Sequence, residues 1–269
     1  MSKFRAVAVH FAISLSIVSI VFFVIFTQWY PPPYFQINGA QNVLKTLIGV
    51  DLVLGPLLTA ILYRPNKPGL KFDMSFIAVV QLTALIFGTG VLYQERPRYL
   101  IFAVDRYTVL PARDVVFEAG EESISACEGV PANPCAAVAL VPTEPAARDE
   151  LMVQVLESGI DIERRPAHWV SLPNGKSAVI ERARPLSDLT ELDPSFASVV
   201  TRLQARHEDA RDDLLLVPVV NKRLEAMLAV VDGRSAALVD VVDAEPWALF
   251  ARPARPSQEQ APESVGTAG

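Results

Sequence analysis

One stretch of twenty residues constrains this chain more than any other. Leu44 to Tyr63, LKTLIGVDLVLGPLLTAILY, is about as long as a bilayer's hydrocarbon core is thick, and it is apolar apart from Lys45, two threonines and Asp51. An ionised carboxylate near the centre of a membrane helix costs roughly 2.5–3.5 kcal/mol. Gly55-Pro56 follows a turn later, and the proline ring removes one backbone hydrogen bond and leaves the carbonyl of Leu52 without its partner. Lipid satisfies neither group. The face carrying Asp51, Gly55 and Pro56 is therefore expected to look at protein, and the rest of the chain to supply that protein or a domain hung from it.

Two further runs flank this one. Val7 to Gln28 carries no charge and is broken only by His10, Ser14, Ser16, Ser19, Thr27 and Gln28. It is too long for a cleaved signal peptide, and QWYPPPYF after it has no small-x-small cleavage site, so it is expected to stay as an anchor. Trp29 and Tyr30, with Tyr34, suit an interfacial aromatic belt, and Pro31-Pro32-Pro33 suits a stiff extended exit. Met74 to Tyr93 is the third run, with Gln81 as its one strongly polar residue and Gly88 and Gly90 as small contacts. Three transmembrane helices are thus expected over about 7–28, 44–63 and 74–93, within a membrane region of residues 1–93.

Charge sets the orientation. Lys3 and Arg5 precede the first run, and Arg64, Lys67 and Lys71 lie between the second and third, whereas Trp29 to Asn42 has no charge at all. The positive-inside rule puts the N-terminus and the 64–73 connection in the cytoplasm and everything after Gln94 on the far side, the periplasm of a bacterium. At 1.5 Å per residue, Asp51 lies roughly 10 Å below the outer end of its helix. At that depth the expected partners are Ser19 or a water beside Gly88. Gln81 sits deeper and is not the obvious partner. Asp51 and Gln81 are then interhelical glue or a partner contact, with an ion path as the remaining reading.

The remainder of the chain differs in kind. Residues 1–73 hold six cations against two anions, a net charge of +4, which leaves −10 for the rest of a chain whose total is −6. A basic membrane part and an acidic remainder argue against nucleic acid as a partner. Residues 94–251 are expected to form a periplasmic α+β domain with an antiparallel sheet and two helices on it. Tyr99 to Leu110 reads as strand material around Asp105-Arg106, and Ala136 to Val141 as a short strand. A helix capped by Thr143, with Pro145 in its first turn, is expected to end at Gly159, with Leu151, Val155, Met152 and Leu156 as a core stripe. Pro173-Asn174-Gly175 reads as a turn between short strands, and Asp193-Pro194 as the start of a second helix. LLLVPVV, EAMLAVV and SAALVDVV read as strands, the last two joined at Asp232-Gly233. Residues 252–269 read as a disordered tail.

The chain offers little chemistry. His10, His168 and His207 are its three histidines, and none has a second ligand at metal spacing; HEDAR at 207–211 is not a zinc motif. There is no GxSxG, no P-loop and no dinucleotide glycine fingerprint. No catalytic residue, metal or cofactor is expected. Cys127 and Cys135, in CEGVPANPC, are not a CxxC pair. In an oxidising compartment they would close a small disulfide loop, worth about 2.5 kcal/mol on the loop-entropy model. Otherwise they are two partly buried thiols.

Several of these segments carry a resemblance: QWYPPPYF, GVDLVLGPLLT, the short connection ending in KFD, VVQLTALIFG, RPRYLIFAVDRY and the late Pro246-Trp247. Together they resemble the type IV pilin accessory protein family (TfpX/TfpZ type), from the N-terminus to about residue 250 and most weakly over 112–210. The resemblance implies a bacterial inner-membrane protein, non-catalytic and chaperone-like, that assists pilin stability or pilus assembly, with a type IV pilin as partner. Asp51, Gly55, Pro56 and Gln81 would pack the bundle or contact the pilin's membrane helix, and the exported domain would touch the pilin head. A membrane-anchored envelope sensor or structural protein, and a small transporter subunit using Asp51, share the topology.

Overall fold

The computed structural model describes residues 2–65, 67–118, 124–129 and 134–251. The acidic segment between 119 and 133, apart from 124–129, and the 252–269 tail lie outside the described residues. Three helices are long and apolar enough to cross a membrane. The first is α1 (Lys3–Val24), started by the Ser2 hydroxyl accepting from the Arg5 amide and prolonged by a π-helical turn over Ile25–Trp29. A short α2 (Tyr34–Ile37) follows the proline run, which turns rather than extends. The second long helix is composite: α3 (Gln41–Ile48), a π-helical turn (Gly49–Leu54) and α4 (Gly55–Leu62) run on as one. The third is α5 (Leu70–Gln94). Their outward faces are apolar, with Phe23, Phe76, Ile86 and Phe87 all more than half exposed.

The composite helix is the most buried of the three and packs against both others. Buried positions recur at helical spacing on the faces that meet it: Ala6, Ser14 and Val18 on α1, and Ile77, Gln81 and Leu92 on α5. The bundle is closed at one end by Ile25, Tyr30, Ala40, Leu44, Leu47 and Leu92. Gly88 permits close packing there, because a Cβ at that position would lie 2.7 Å from a methyl of Leu47.

After Gln94 the chain builds β1 (Tyr99–Ala103), β2 (Arg106–Leu110), β3 (Cys135–Ala139), α6 (Pro145–Ser158), β4 (Trp169–Ser171), α7 (Leu172–Arg182) and β5 (Arg184–Pro185). It continues through α8 (Asp188–Leu192), α9 (Ala197–Arg206), β6 (Leu214–Val220), β7 (Ala226–Asp232), β8 (Leu238–Val242) and α10 (Trp247–Phe250). The strands form one sheet in the order β4-β3-β1-β2-β6-β7-β8, with β5 paired to β6 off that path. The sheet is mixed, not antiparallel: β1 runs parallel to β3 (Tyr99 opposite Cys135) and β2 parallel to β6 (Tyr107 opposite Val219).

The reason lies in burial. Core residues cover both faces: Leu100, Phe102, Val217 and Val219 pack with Val179 of α7 on one, while Ile101 and Ala137 with Leu151 of α6, and Leu216 and Leu228 with Leu189 of α8 and Leu203 of α9, form the other. Strands buried on both faces carry no polar alternation, and LLLVPVV has none; that is the mark of a covered sheet with parallel pairs.

Three other expectations change. The Pro173-Asn174-Gly175 segment is not a turn but the start of α7, with Pro173 in its first turn. Gly175 lets that helix lie close to the sheet, since a Cβ there would be 2.5 Å from the Cβ of Val138. On α6 only Leu151 is buried, and Met152 and Leu156 face outward at 58% and 78% exposure. That helix starts behind Glu144 rather than Thr143, and stops at Gly159 in the left-handed region, φ +66°. Cys127 and Cys135 are joined by a disulfide, with Cα atoms 5.9 Å apart, at the entry to β3.

The helical and sheet parts are tied together. Ile37 of α2 sits in the sheet's core cluster, and its carbonyl accepts from Asn221 Nδ2 at 2.9 Å. Asn38 Nδ2 donates to the Glu95 carbonyl at 3.3 Å, and Tyr30 donates its hydroxyl to the Leu92 carbonyl at 2.9 Å. Tyr30 is only 1% exposed, so it is an internal strut and not a residue of an outer aromatic belt. Trp29 packs edge-on to Tyr93, ring centres 5.1 Å apart. Burial pushes the Tyr34 phenol up to about 12, so it stays protonated against the sheet core.

Gly175→Val is expected to lower the thermal midpoint of the detergent-solubilised chain by several degrees, from about 1–3 kcal/mol of overpacking. Gly90→Ala, where a Cβ meets nothing, should leave that midpoint unchanged in the same melting experiment.

Candidate functional site

Halfway along the composite helix, the backbone changes register. The Gly55 amide bonds the Val50 carbonyl five residues back, a π-helical connection placed immediately before Pro56, whose nitrogen has no hydrogen to donate. The wider turn absorbs the proline without breaking the helix. Asp51 lies within it and is 5% exposed.

Gln81 of α5 is its partner, against the depth argument, which placed Gln81 too far in. Gln81 Nε2 lies 3.3 Å from the Asp51 carbonyl oxygen and 3.4 Å from Oδ1. The second long helix starts at Gln41 rather than Leu44, which puts Asp51 about 4.5 Å deeper than a start at Leu44 implies. Gly55 makes the meeting possible, because a Cβ there would stand 2.0 Å from Gln81 Nε2. Asp51, Gly55, Pro56 and Gln81 are therefore brought together, while neither Ser19 nor Gly88 takes part.

One pair escaped the sequence reading. His10 Nδ1 of α1 lies 2.8 Å from Thr59 Oγ1 of α4, so the imidazole and hydroxyl tie the first long helix to the second. The signal was present in the spacing: Asp51, Gly55 and Thr59 recur every four residues, one face of one helix, and His10 is the strongest polar group of its own run.

His10, Asp51, Thr59 and Gln81 line a half-open groove of about 330 Å³ between α1 and α5, with the composite helix as its floor. The walls are Val9, Ile13 and Ile17 on one side and Ala78, Leu82 and Leu85 on the other. Asp51 Oδ2 is buried and has no hydrogen-bond partner. Both contacts from Gln81 are at or beyond the long end of N–H···O bonds, so the carboxylate is under-satisfied on one oxygen and weakly held on the other.

A second hollow of about 260 Å³ lies on the sheet part, between the β1–β2 and β6–β7 turns and the Asp161–Arg164 segment. Its rim carries Val104 and Leu224, both exposed and both at positive φ (58° and 61°), a conformation costly for a β-branched valine. Glu163 lines it, and burial, ahead of all other influences, holds its carboxyl above the usual carboxylate range.

Comparison with known proteins gives the site its setting. A family model described as "Fimbrial assembly protein FimB" matches residues 1–39. The chain is 30% identical over 225 residues to "Fimbrial assembly protein, serogroup I" of Dichelobacter nodosus, covering 82% of this chain and 87% of that one. This chain belongs to the fimbrial assembly protein family. It is similar also to the serogroup E1 protein of the same organism, at 29% over 223 residues (81% and 85% of the two chains). To the serogroups C1 and C2 protein it is 36% identical over 113 residues, 41% of this chain and 86% of that one. No solved structure matches. This placement agrees with the resemblance carried by the VDLVLGP and RPRYLIFAVDRY segments, and the FimB model reaches His10 but not Asp51.

Two outcomes are expected here. Gly55→Ala drives the Gln81 amide off Asp51, and should lower the thermal midpoint of the solubilised chain, whereas the double change Gly55→Ala with Gln81→Ala, which removes the obstructing amide, recovers part of that loss. The raised Glu163 carboxyl means that the folded state holds the proton more tightly than the unfolded one. Its destabilising effect is full above the folded-state value and fades as pH falls toward 4.5, the ordinary value. Glu163→Gln should therefore raise the unfolding midpoint at pH 7 and bring little change at pH 4.5.

Proposed function

We infer that this chain is a non-catalytic accessory factor of the bacterial inner membrane that acts like a chaperone on a type IV pilin, supporting its stability or its assembly into pili. The observation that carries the reading is the similarity to relatives named fimbrial assembly proteins over more than four fifths of both chains. The architecture suits the task. A subunit held in the membrane before assembly exposes an apolar helix in lipid and a folded head outside it. This chain offers a helical bundle with a polar-floored groove and a covered sheet domain fixed to one end of that bundle.

The charges support an orientation. Lys3, Arg5, Arg64, Lys67 and Lys71 gather at the bundle end opposite the sheet, and Lys67 is partly offset by Asp73 at 2.6 Å. With that end in the cytoplasm, the sheet domain and its disulfide stand in the oxidising periplasm.

Deleting the gene should remove surface pili under electron microscopy and lower the pilin level. Pilin should co-purify with the tagged chain from cross-linked membranes. Asp51→Asn should reduce the recovered pilin or the level of the chain itself. A normal pilus count in the deletion strain refutes the accessory role, and unaltered pilin recovery with loss of a solute flux would favour a transporter instead.

A further inference from the structure

The groove between α1 and α5 has a composition that ordinary bundle packing does not account for. Its walls are aliphatic, yet its floor holds a carboxylate that is 95% buried with one oxygen lacking any partner. A buried acceptor without a donor costs about 1–3 kcal/mol, and more when it is charged. The bundle does not fill the space itself: the cluster of Ile25, Tyr30, Leu44, Leu47 and Leu92 seals only the end near the sheet. Below it the groove runs along α1 from Val18 to Ala6, roughly 18 Å at 1.5 Å per residue. That is more than half of a hydrocarbon core of about 30 Å.

We propose that this groove is a docking site for an apolar membrane helix of another protein, and that the helix presents a hydrogen-bond donor to Asp51 Oδ2. Complementarity selects this occupant. A lipid acyl chain fits aliphatic walls but donates no hydrogen bond, so it leaves the carboxylate as it is. A small polar solute would satisfy Asp51 but would be flanked by Ile13, Ile17, Leu82 and Leu85, which offer it nothing. A helix does both, with aliphatic side chains against the walls and one hydroxyl, amide or ammonium at the depth of the floor.

The groove also reads its occupant by chemistry. His10 Nδ1 and Thr59 Oγ1 bond each other and Gln81 spends an amide hydrogen on Asp51, which leaves Asp51 Oδ2 as an unmet acceptor at the floor. A helix bringing another carboxylate would meet like charge. That the occupant belongs to a pilus subunit rests on the function inferred above; that it is a donor-bearing membrane helix rests on the groove alone.

The test is site-specific photocross-linking in the intact bacterium, with benzoylphenylalanine at Leu82 in the groove wall and, as a control, at Phe87, which is 74% exposed and not part of the groove. The expected result is an adduct from position 82 alone, whose sequenced peptide falls in an apolar membrane segment of another protein. It should fall about tenfold or more in Asp51→Leu. Because that change also removes the Gln81 contact, Ala78→Phe serves as the second variant: it fills the groove and leaves Asp51 and Gln81 intact. It too should abolish the adduct at an unchanged level of the chain. Lipid adducts only, equal adducts from positions 82 and 87, an adduct to a second copy of this chain, or an adduct indifferent to Ala78→Phe would each overturn the proposal. Failure is separable from failure of the accessory role. Loss of pili on deletion with only lipid at position 82 keeps that role and removes the groove's. A donor-bearing helix from a protein unrelated to pili keeps the groove's occupant and removes the pilin role.

Discussion

The structure turns on the crossing of the composite helix by α5, where Gln81 lies over Gly55 and reaches Asp51. Three features make that crossing possible. Pro56 withdraws a backbone donor, the π turn over Gly49–Leu54 accommodates the withdrawal, and Gly55 offers no side chain where the Gln81 amide needs to be. Each alone is a cost: a proline inside a helix, a rare helical turn, a glycine of poor helix propensity. Together they bring an amide to a carboxylate that would otherwise be alone among aliphatic side chains. The His10–Thr59 contact fixes α1 to the same face one turn further on. The two polar links fall along one side of the composite helix and hold all three long helices around it.

From that crossing the chain hands its order on to the sheet. Tyr30 and Asn38 bond carbonyls at the end of α5, and Ile37, only a residue away, enters the sheet's core. Lys222 of the β6–β7 turn stands 3.4 Å from both Glu95 and Asp114, and Arg113 also pairs with Glu95. Exposed ion pairs contribute about 0–1 kcal/mol each. The buried Asn221–Ile37 bond and the apolar contacts of Ile37 therefore matter more in holding the sheet against the bundle. The span one–two connection is best seen as part of the sheet domain's core and not as a passive tether.

How much of this could be read from the residues follows from the range of the forces involved. The three long helices were legible because hydropathy over twenty residues is a local property, and Asp51 stood out because lipid makes one charge conspicuous. The β6–β7–β8 succession was legible because neighbouring strands share short turns. The parallel pairings were not, since they join segments separated by residues 104–134 and 111–213, and no turn residue records such a crossover. Gly175 misled for a related reason. Pro-Asn-Gly favours a turn in isolation, but proximity to Val138 in the tertiary structure gives that glycine its purpose inside a helix. Gln81 reads as too deep when the second helix is taken to start at Leu44, but that helix begins at Gln41, and no strong signal in the sequence marks the earlier start. Tyr30 reads as part of an interfacial belt beside Trp29 and Tyr34, yet its hydroxyl is bonded inside the bundle to the Leu92 carbonyl, a partner 62 residues away that local sequence does not reveal.

The Asp51 carboxylate is weakly held for a group buried in a helical bundle. A carboxylate meant only to bind three helices together would be expected to hold short, well-directed bonds on both oxygens, since charge-assisted bonds of about 2.7–2.9 Å are the stable arrangement. Here the carboxylate has one contact, 3.4 Å from Gln81 Nε2 to Oδ1, while the 3.3 Å contact goes to the Asp51 main-chain carbonyl and Oδ2 has none. The bundle is already tied by Gly88 against Leu47 and by His10 against Thr59, so its packing does not depend on the groove being filled. A helix docked there as proposed would gain on the order of 1.5–3 kcal/mol from one donor on that under-satisfied oxygen, beside its contacts with the aliphatic walls.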